Sequence, residues 1–291
     1  MKKNILLTTL AVMATLLADP ILAADIVSDT RSGANGPNTQ DGGYLELGIG
    51  TGSGNSPRIT KDDLAGNPKG HFFGLGLFVG LEYRYKNIFF EATPRGIDGI
   101  QLGYTLWNNA DWSVDVLAAS GSVISPSNRT TVIPSGLTEE QRNVAIVERK
   151  RPYVGAGIRV TGYLNDYIVQ FLATSDYRSD AGYRGSIRLG RNWQIKNWNV
   201  HGIVAATYRS ADTNQHFYGI SADEATTLFP EYKPGSSVSV FGEIGATYPI
   251  TQDWVFRSAL RYSPFPDAIK DSPLFDGNYG AAAITSISYV F

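Results

Sequence analysis

Tyr279-Gly280-Ala281-Ala282-Ala283-Ile284-Thr285-Ser286-Ile287-Ser288-Tyr289-Val290-Phe291 closes the sequence and alternates in character residue by residue. In an extended strand Ala283, Thr285, Ile287, Tyr289 and Phe291 share one face, and Ile284, Ser286, Ser288 and Val290 share the other. An apolar face tipped with two aromatics, opposite a small and partly polar one, suits a strand with lipid outside and a crowded lumen inside. The closing trio Ile287, Tyr289 and Phe291 also has the look of the C-terminal signal by which bacterial outer-membrane barrels are assembled. A last edge strand of a soluble sheet shows the same alternation, so the rest of the chain has to decide.

The 291 residues contain Gly 31, Tyr 16, Phe 13 and Trp 5 but no Cys. Glycine and aromatic enrichment points to many short strands and to aromatics that need an interface. Mean hydropathy is -0.14, as expected where only alternate residues meet lipid. Without cysteine there is no disulfide framework, thiolate metal site or lipid-anchoring thiol. A net charge of -2 offers nucleic acid no electrostatic footing.

At the start, Lys2-Lys3 precedes an apolar run over residues 5–17 that is shorter than the ~20 residues a membrane helix needs. Asp19-Pro20 breaks the run, and Ile21-Leu22-Ala23-Ala24-Asp25 offers cleavage after Ala23 or Ala24. Residues 1–24 therefore read as a cleaved signal peptide, and the protein as exported. Residues 25–43, polar and aperiodic, read as a flexible periplasmic lead-in, and 44–291 as the barrel.

Twelve strands follow. The first, 44–50, sets Leu45, Leu47 and Ile49 against Tyr44, Glu46 and Gly48. In the second, Leu77, Val79, Leu81, Tyr83 and Tyr85 oppose Gly76, Phe78, Gly80, Glu82 and Arg84. The others fall near 88–93, 99–107, 112–118, 152–162, 166–174, 183–190, 198–209, 238–248, 254–262 and 279–291. Connection lengths then alternate. Lys86-Asn87, 108–111, Leu164-Asn165, 194–197 and 249–253 are short, whereas 51–70, 121–151, 210–236 and 264–278 are long; 94–98 and 175–182 are shorter members of the second set. Short periplasmic turns and long outer loops are the habit of transmembrane barrels, whose strand number is even and whose termini are periplasmic. Trp107, Trp112, Trp193, Trp198 and Trp254 all lie beside short connections, as one interfacial girdle requires. The predicted fold is an all-β, transmembrane, antiparallel up-and-down barrel of about twelve strands with periplasmic termini.

Strand parity points Glu82, Arg84, Glu91, Asp115, Arg159, Arg184, Arg188, His201, Arg209, Glu243, Arg257 and Arg261 into the lumen. Cross-strand ion pairs filling a narrow interior explain such a set; an Arg-rich pore lining that favours anionic or polar solutes explains it too. Barrel enzymes are poorly signalled. His71, His201 and His216 are not part of a His-x-Ser arrangement, and Asp62-Asp63 is half of an acidic-pair protease site at most. No phosphate loop or calcium loop is present, so no cofactor and no metal are expected. Two loops carry helix signals: Thr138 with Gln141 forms a capping box, and Ser221 with Glu224 caps a one- or two-turn helix.

The stretch Phe217-Tyr218-Gly219-Ile220-Ser221, then Glu224-Ala225, Tyr232-Lys233-Pro234 and Glu243-Ile244-Gly245-Ala246-Thr247-Tyr248 with Asp253-Trp254, resembles the MltA-interacting protein (MipA/OmpV) family. Arg261-Tyr262, Ile269-Lys270-Asp271-Ser272-Pro273-Leu274 and the last strand continue it in order. Upstream it extends more weakly through residues 153–157, Ser175-Asp176, Gly182 and Arg142. The resemblance implies an outer-membrane barrel that is not enzymatic as such. In some members it implies a scaffold for a lytic transglycosylase and a bifunctional murein synthase, and in others an adhesin or an influence on antibiotic entry. The expected surroundings are outer-membrane lipid, lipopolysaccharide and the barrel-assembly machinery. The alternative readings are a small-solute channel with an Arg-rich lumen and a surface adhesin. Tyr218, Gly219, Ser221, Tyr232, Asp271, Ser272 and Pro273 fall on outer loops in this topology, where they would hold the loops together over the mouth.

Overall fold

The computed structural model describes residues 36–37, 41–54, 72–92, 100–120, 138, 153–177, 180–227, 229–274 and 278–291. The signal peptide, most of the lead-in, His71, Asp62, Asp63, Arg142 and the helix expected from Thr138 lie outside them.

Twelve strands close into a barrel in which each pairs with its sequence neighbours: β1 Gly42–Gly54, β2 Phe72–Tyr85, β3 Ile88–Ala92, β4 Ile100–Asn108, β5 Trp112–Ser120, β6 Val154–Leu164, β7 Tyr167–Asp176, β8 Tyr183–Ile195, β9 Trp198–Arg209, β10 Ser237–Pro249, β11 Trp254–Pro264 and β12 Tyr279–Val290. All pairs are antiparallel. The ring is closed by β1 against β12, from Tyr44 opposite Val290 to Ser53 opposite Ala281. Past the end of that ladder, Gly43 N donates to Phe291 O at 2.9 Å and Phe291 N to Gly43 O at 3.1 Å.

The connections at one rim are tight: β2–β3, β6–β7 and β8–β9 turn on two residues each. The turns fall at Asn165-Asp166 and Lys196-Asn197, slightly later and tighter than the sequence spacing predicts. The first residue of each, Lys86, Asn165 or Lys196, takes a left-handed φ of 55°. That conformation costs a non-glycine residue little in a turn that matches the strand twist. The opposite rim carries the longer connections and, among the described residues, two helices, α1 Ala211–Tyr218 and α2 Asp267–Lys270.

Exposure alternates along the strands with the sign inverted relative to a soluble protein. On β9, Asn199, His201, Ile203, Ala205 and Thr207 are buried, while Val204 and Tyr208 are exposed. Leu77 is 88% exposed and Leu260 60%, whereas Arg159 and Glu91 are 1% exposed. Glycine makes room for inward aromatics: a Cβ on Gly103 would stand 2.1 Å from the Phe89 ring, and one on Gly48 would stand 2.0 Å from Phe78. Small apolar clusters fill the rest, Phe89 with Leu117 and Leu172, and Tyr163 with Ile168 and Ile203.

Two aromatic bands bound the outer apolar wall. At the tight-turn rim Trp107, Trp193, Trp198 and Trp254 are exposed. Trp198 packs on Tyr248 at 4.8 Å and Trp254 on Tyr289 at 5.1 Å. At the loop rim Tyr183 meets Tyr208 and Tyr262 meets Tyr279, at 6.0 and 5.4 Å. On β9 the two bands are Trp198 and Tyr208; at ~3.3 Å per residue and ~40° of tilt they stand about 25 Å apart along the axis, the height of a bilayer's apolar band. One departure from strict alternation occurs in β4, where the register shifts between Thr105 and Trp107. The bulge turns Leu106 and Trp107 outward together, 57% and 52% exposed.

If this wall meets hydrocarbon, a cation at mid-height must be costly. Val204→Arg is expected to lower unfolding stability in phospholipid vesicles by about 2–4 kcal/mol, read by urea titration of tryptophan emission. A loss near zero would place Val204 in water.

Candidate functional site

Two regions concentrate polar chemistry: the barrel interior and the cap over its loop rim. In the interior, β6 carries Arg159 across from Asp115 of β5. Arg159 Nε donates to Asp115 Oδ2 at 2.9 Å, and its two terminal nitrogens donate to the two oxygens of Glu91 at 3.1 Å each. Gln101 accepts a further bond at 3.3 Å, and the Phe89 ring lies 4.6 Å from the guanidinium carbon. Arg84 joins the same network through Thr105, donating at 2.9 Å to a hydroxyl that itself donates to Asp115 at 2.7 Å. Every strand from β2 to β6 contributes a member.

Across the lumen a second network centres on Glu243 of β10. One carboxylate oxygen accepts from Arg261 Nε at 3.0 Å and Nη2 at 2.7 Å; the other lies 3.2 Å from His201 Nε2. Between the two, Arg188 donates to Gln170 at 2.9 Å and Gln170 to Thr161 at 3.0 Å. Nearer the loop rim, Arg184 donates to Thr174 and Arg209 to Ser239. Arg257 lies over the Tyr44 ring at 4.7 Å. Of the twelve residues that parity points inward, Arg209 and Arg261 are part-exposed and the others, Glu82 included, are buried.

Sequence reasoning omitted buried Glu46, Gln101, Gln170 and Asp176 from this set. Glu46 accepts from Ser286 and Ser288 of β12 at 2.5 and 3.2 Å, across the seam that closes the barrel. Its signal was present, since it alternates with Leu45 and Leu47. With Glu46 and Asp176 added to Glu82, Glu91, Asp115 and Glu243, interior carboxylates nearly match the arginines in number, so the lining is mixed in charge.

The cap is built from residues 210–227, 229–236 and 265–274. Helix α1, absent from the sequence reading, starts where Ser210 Oγ accepts from Thr213 N. Thr213 Oγ1 donates to the carbonyls of Ala181 and Tyr183, and Asn214 donates to Gly235 O and Ser237 Oγ. Phe217 and Tyr218 therefore end a helix. The predicted helix after Ser221 is instead a single turn over residues 222–224, although Glu224 does return its bond to Ser221 N at 3.0 Å. Glu224 N closes that turn on Ser221 O at 3.0 Å. Just beyond it Thr226 N donates forward to Phe229 O at 2.9 Å while Phe229 N donates to Thr226 Oγ1 at 3.1 Å, a pattern no helix makes.

The two connections lock together. Ser272 Oγ donates to Tyr218 O at 2.5 Å, Tyr232 OH to Ala268 O at 3.3 Å, and Ile220 pairs with Tyr232 through both backbone groups. Gly219 is held tightly, with a Cβ there 2.3 Å from Gln215. Asp271 N caps α2 on Asp267 O, and Pro273 follows Ser272 at its end. Burial pushes the Tyr232 hydroxyl above the usual tyrosine range, and Asp271 and Asp267 add to the shift. Among the described residues no His, Asp and Glu group could hold a metal ion.

A closed twelve-stranded antiparallel barrel with an apolar outer wall, aromatic rims and a charged interior is an outer-membrane β-barrel. The family is equally plain: the model of "MltA-interacting protein MipA" matches residues 47–291, and the chain belongs to that family. It is 30% identical over 235 residues to the MltA-interacting protein of Escherichia coli, covering 75% of this chain and 90% of that one. The "putative outer membrane protein YiaT" of the same organism is 25% identical over 111 residues, 38% of this chain and 45% of its own. Among solved structures, the NanC porin covers 84% of this chain and 98% of its own at 9% identity and a TM-score of 0.42. A loop-deletion mutant of the OmpT outer membrane protein of Vibrio cholerae covers 86% and 76% at 11% identity and a TM-score of 0.37.

Arg159→Met strands Glu91 and Asp115 in the interior, and an expected loss of about 3–5 kcal/mol follows from breaking a buried pair on one side only. Adding Glu91→Gln and Asp115→Asn should restore part of it in urea unfolding; no recovery would show that packing by Arg159, and not its charge, matters. For the cap, Ser272→Ala should raise the rate of protease cleavage within 210–236 about fivefold, the loss of one ~1 kcal/mol hydrogen bond. The Tyr232 contribution is complete below pH ~10. It fades as pH climbs through the raised folded value, so wild-type cleavage should accelerate only in strong alkali.

Proposed function

We propose that the protein is a non-enzymatic scaffold of the outer membrane that holds murein-remodelling enzymes, a lytic transglycosylase and a murein synthase, beside the cell wall. One observation carries this reading. Mid-barrel side chains such as Arg159, Gln170, Arg188 and His201 are at most 1% exposed, so no water-lined bore runs along them. Interior groups that no solute reaches leave the rims as the working surfaces. The name of the Escherichia coli relative, MltA-interacting protein, supports a protein partner of this class.

In this proposal the tight turns and both chain ends face the periplasm, and the cap faces outward. Residues 1–24 are the cleaved leader, 25–43 the lead-in and 44–291 the barrel. Ile287, Tyr289 and Phe291 are the segment read by the barrel-assembly machinery, and lipid and lipopolysaccharide surround the wall. The enzymes then dock on the tight-turn rim or the lead-in, while Tyr218, Gly219, Ser221, Tyr232, Asp271, Ser272 and Pro273 hold the cap. A second reading, an anion-selective channel, draws on Arg184 and Arg209, which face each other across β8 and β9 with Arg188 beneath.

Affinity capture of the tagged protein from gently solubilised, cross-linked envelopes is expected to recover a lytic transglycosylase and a murein synthase. Recovery with no murein enzyme would sink the scaffold. Planar-bilayer recordings should be silent; steady anion-selective conductance would favour the channel.

A further inference from the structure

Arginine is out of place on a lipid-facing wall, and β8 puts one there. Arg191 shares the outward face with Leu189 and Trp193, and it sits directly between Tyr167 of β7 and Gly202 of β9 in the ladder. Its guanidinium is clamped by two rings, Tyr167 at 4.7 Å and Trp193 at 5.2 Å, and Nη1 donates to the Tyr167 hydroxyl at 2.8 Å. No carboxylate among the described residues pairs with it, in contrast to Arg159 and Arg261. Tyr167 follows the tight turn Asn165-Asp166, so the charge is drawn toward the rim where lipid phosphates lie.

Beside this cation the wall is hollow. A groove of about 590 Å³ starts at Arg191 and runs over Gly202 and Gly242, flanked by Val204, Ile244 and Leu260. The floor is bare backbone: a Cβ on Gly242 would meet nothing within 4 Å, and one on Gly202 would make only ordinary contacts, with the edge of Trp193 at 3.5 Å and Glu243 O at 3.9 Å.

We propose that this is a binding site for one anionic phospholipid, of the phosphatidylglycerol class, in the leaflet at the tight-turn rim. Its phosphate sits on Arg191, whose planar fork matches phosphate oxygens. The Tyr167 hydroxyl accepts from Arg191 and keeps its own proton to donate to the phosphate. An acyl chain lies in the glycine groove. The charge at one end and the apolar floor beyond it select an anionic head joined to a hydrocarbon tail, which neither a soluble anion nor a flat protein surface supplies. Calling that leaflet periplasmic rests on the orientation proposed above; the site itself does not.

The test uses the purified full-length barrel in symmetric vesicles, with spin-labelled phosphatidylglycerol and phosphatidylcholine compared by electron paramagnetic resonance. Wild type should hold motionally restricted phosphatidylglycerol about fivefold more strongly than phosphatidylcholine, the effect of one cation near the surface. Arg191→Gln should bring that ratio close to one, and Gly242→Leu, which fills open space, should reduce the restricted lipid while leaving the barrel folded. An unchanged ratio in Arg191→Gln overturns the headgroup assignment, and unchanged restriction in Gly242→Leu overturns the groove. A dimer that persists without phosphatidylglycerol and is lost in Gly242→Leu would assign the groove to a second copy and overturn the lipid. Orientation is read separately, by labelling Lys196→Cys in cells with an impermeant maleimide.

Discussion

Closure is the constraint everything else obeys. In hydrocarbon an unpaired backbone group has no water to turn to, so a sheet that crosses a bilayer must leave no edge. The β1–β12 ladder removes the last one, and the exchange between Gly43 and Phe291 carries it to the rim. Glu46 extends the same seam into the interior by binding two serines of β12. The pairing that joins the two ends of the sequence is thus fixed twice, by backbone outside and by side chains inside. Its register follows from the aromatic and small residues that alternate on β12.

Closure also decides where charge goes. With lipid claiming the outer face, the polar half of each strand is forced inward, where an unpaired ion is costly. The structure answers with shared partners. Glu91, Asp115 and Gln101 surround Arg159, and Glu243 serves both Arg261 and His201. Such networks tie strands distant in sequence, and removing one partner leaves the other as an uncompensated charge in the interior.

Most of the architecture was legible because a barrel wall imposes period two on sequence. Strand number follows from where that period runs, and the alternation of short and long connections from where it breaks. The features that escaped are those that break it. The β4 bulge puts Leu106 and Trp107 on one face, which strict alternation does not anticipate. Helix α1 follows β9 after a single residue, Ser210, so its cap was hidden in what read as loop. Ser221 N and Ser221 Oγ both donate to the Glu224 carboxylate, at 3.0 and 2.7 Å, in place of a reciprocal capping box, and the segment closes a single turn: capping favours a helix start but does not propagate it. Interior partners such as Gln170 escaped for another reason, since neutral residues give no charge signal.

The two faces of the barrel point to different uses of the same building material. Inside, glycine makes way for an aromatic ring, as Gly103 does for Phe89. On the wall beside Arg191, Gly242 makes way for nothing in the chain, and the space it leaves is open to the bilayer. A strand residue that gives up side-chain packing on a sheet weakens the sheet unless something else fills the gap. Inside this barrel the filler is its own phenylalanine. Outside, the only material always at hand is lipid, and the unpaired arginine at the end of the hollow gives that lipid its sign.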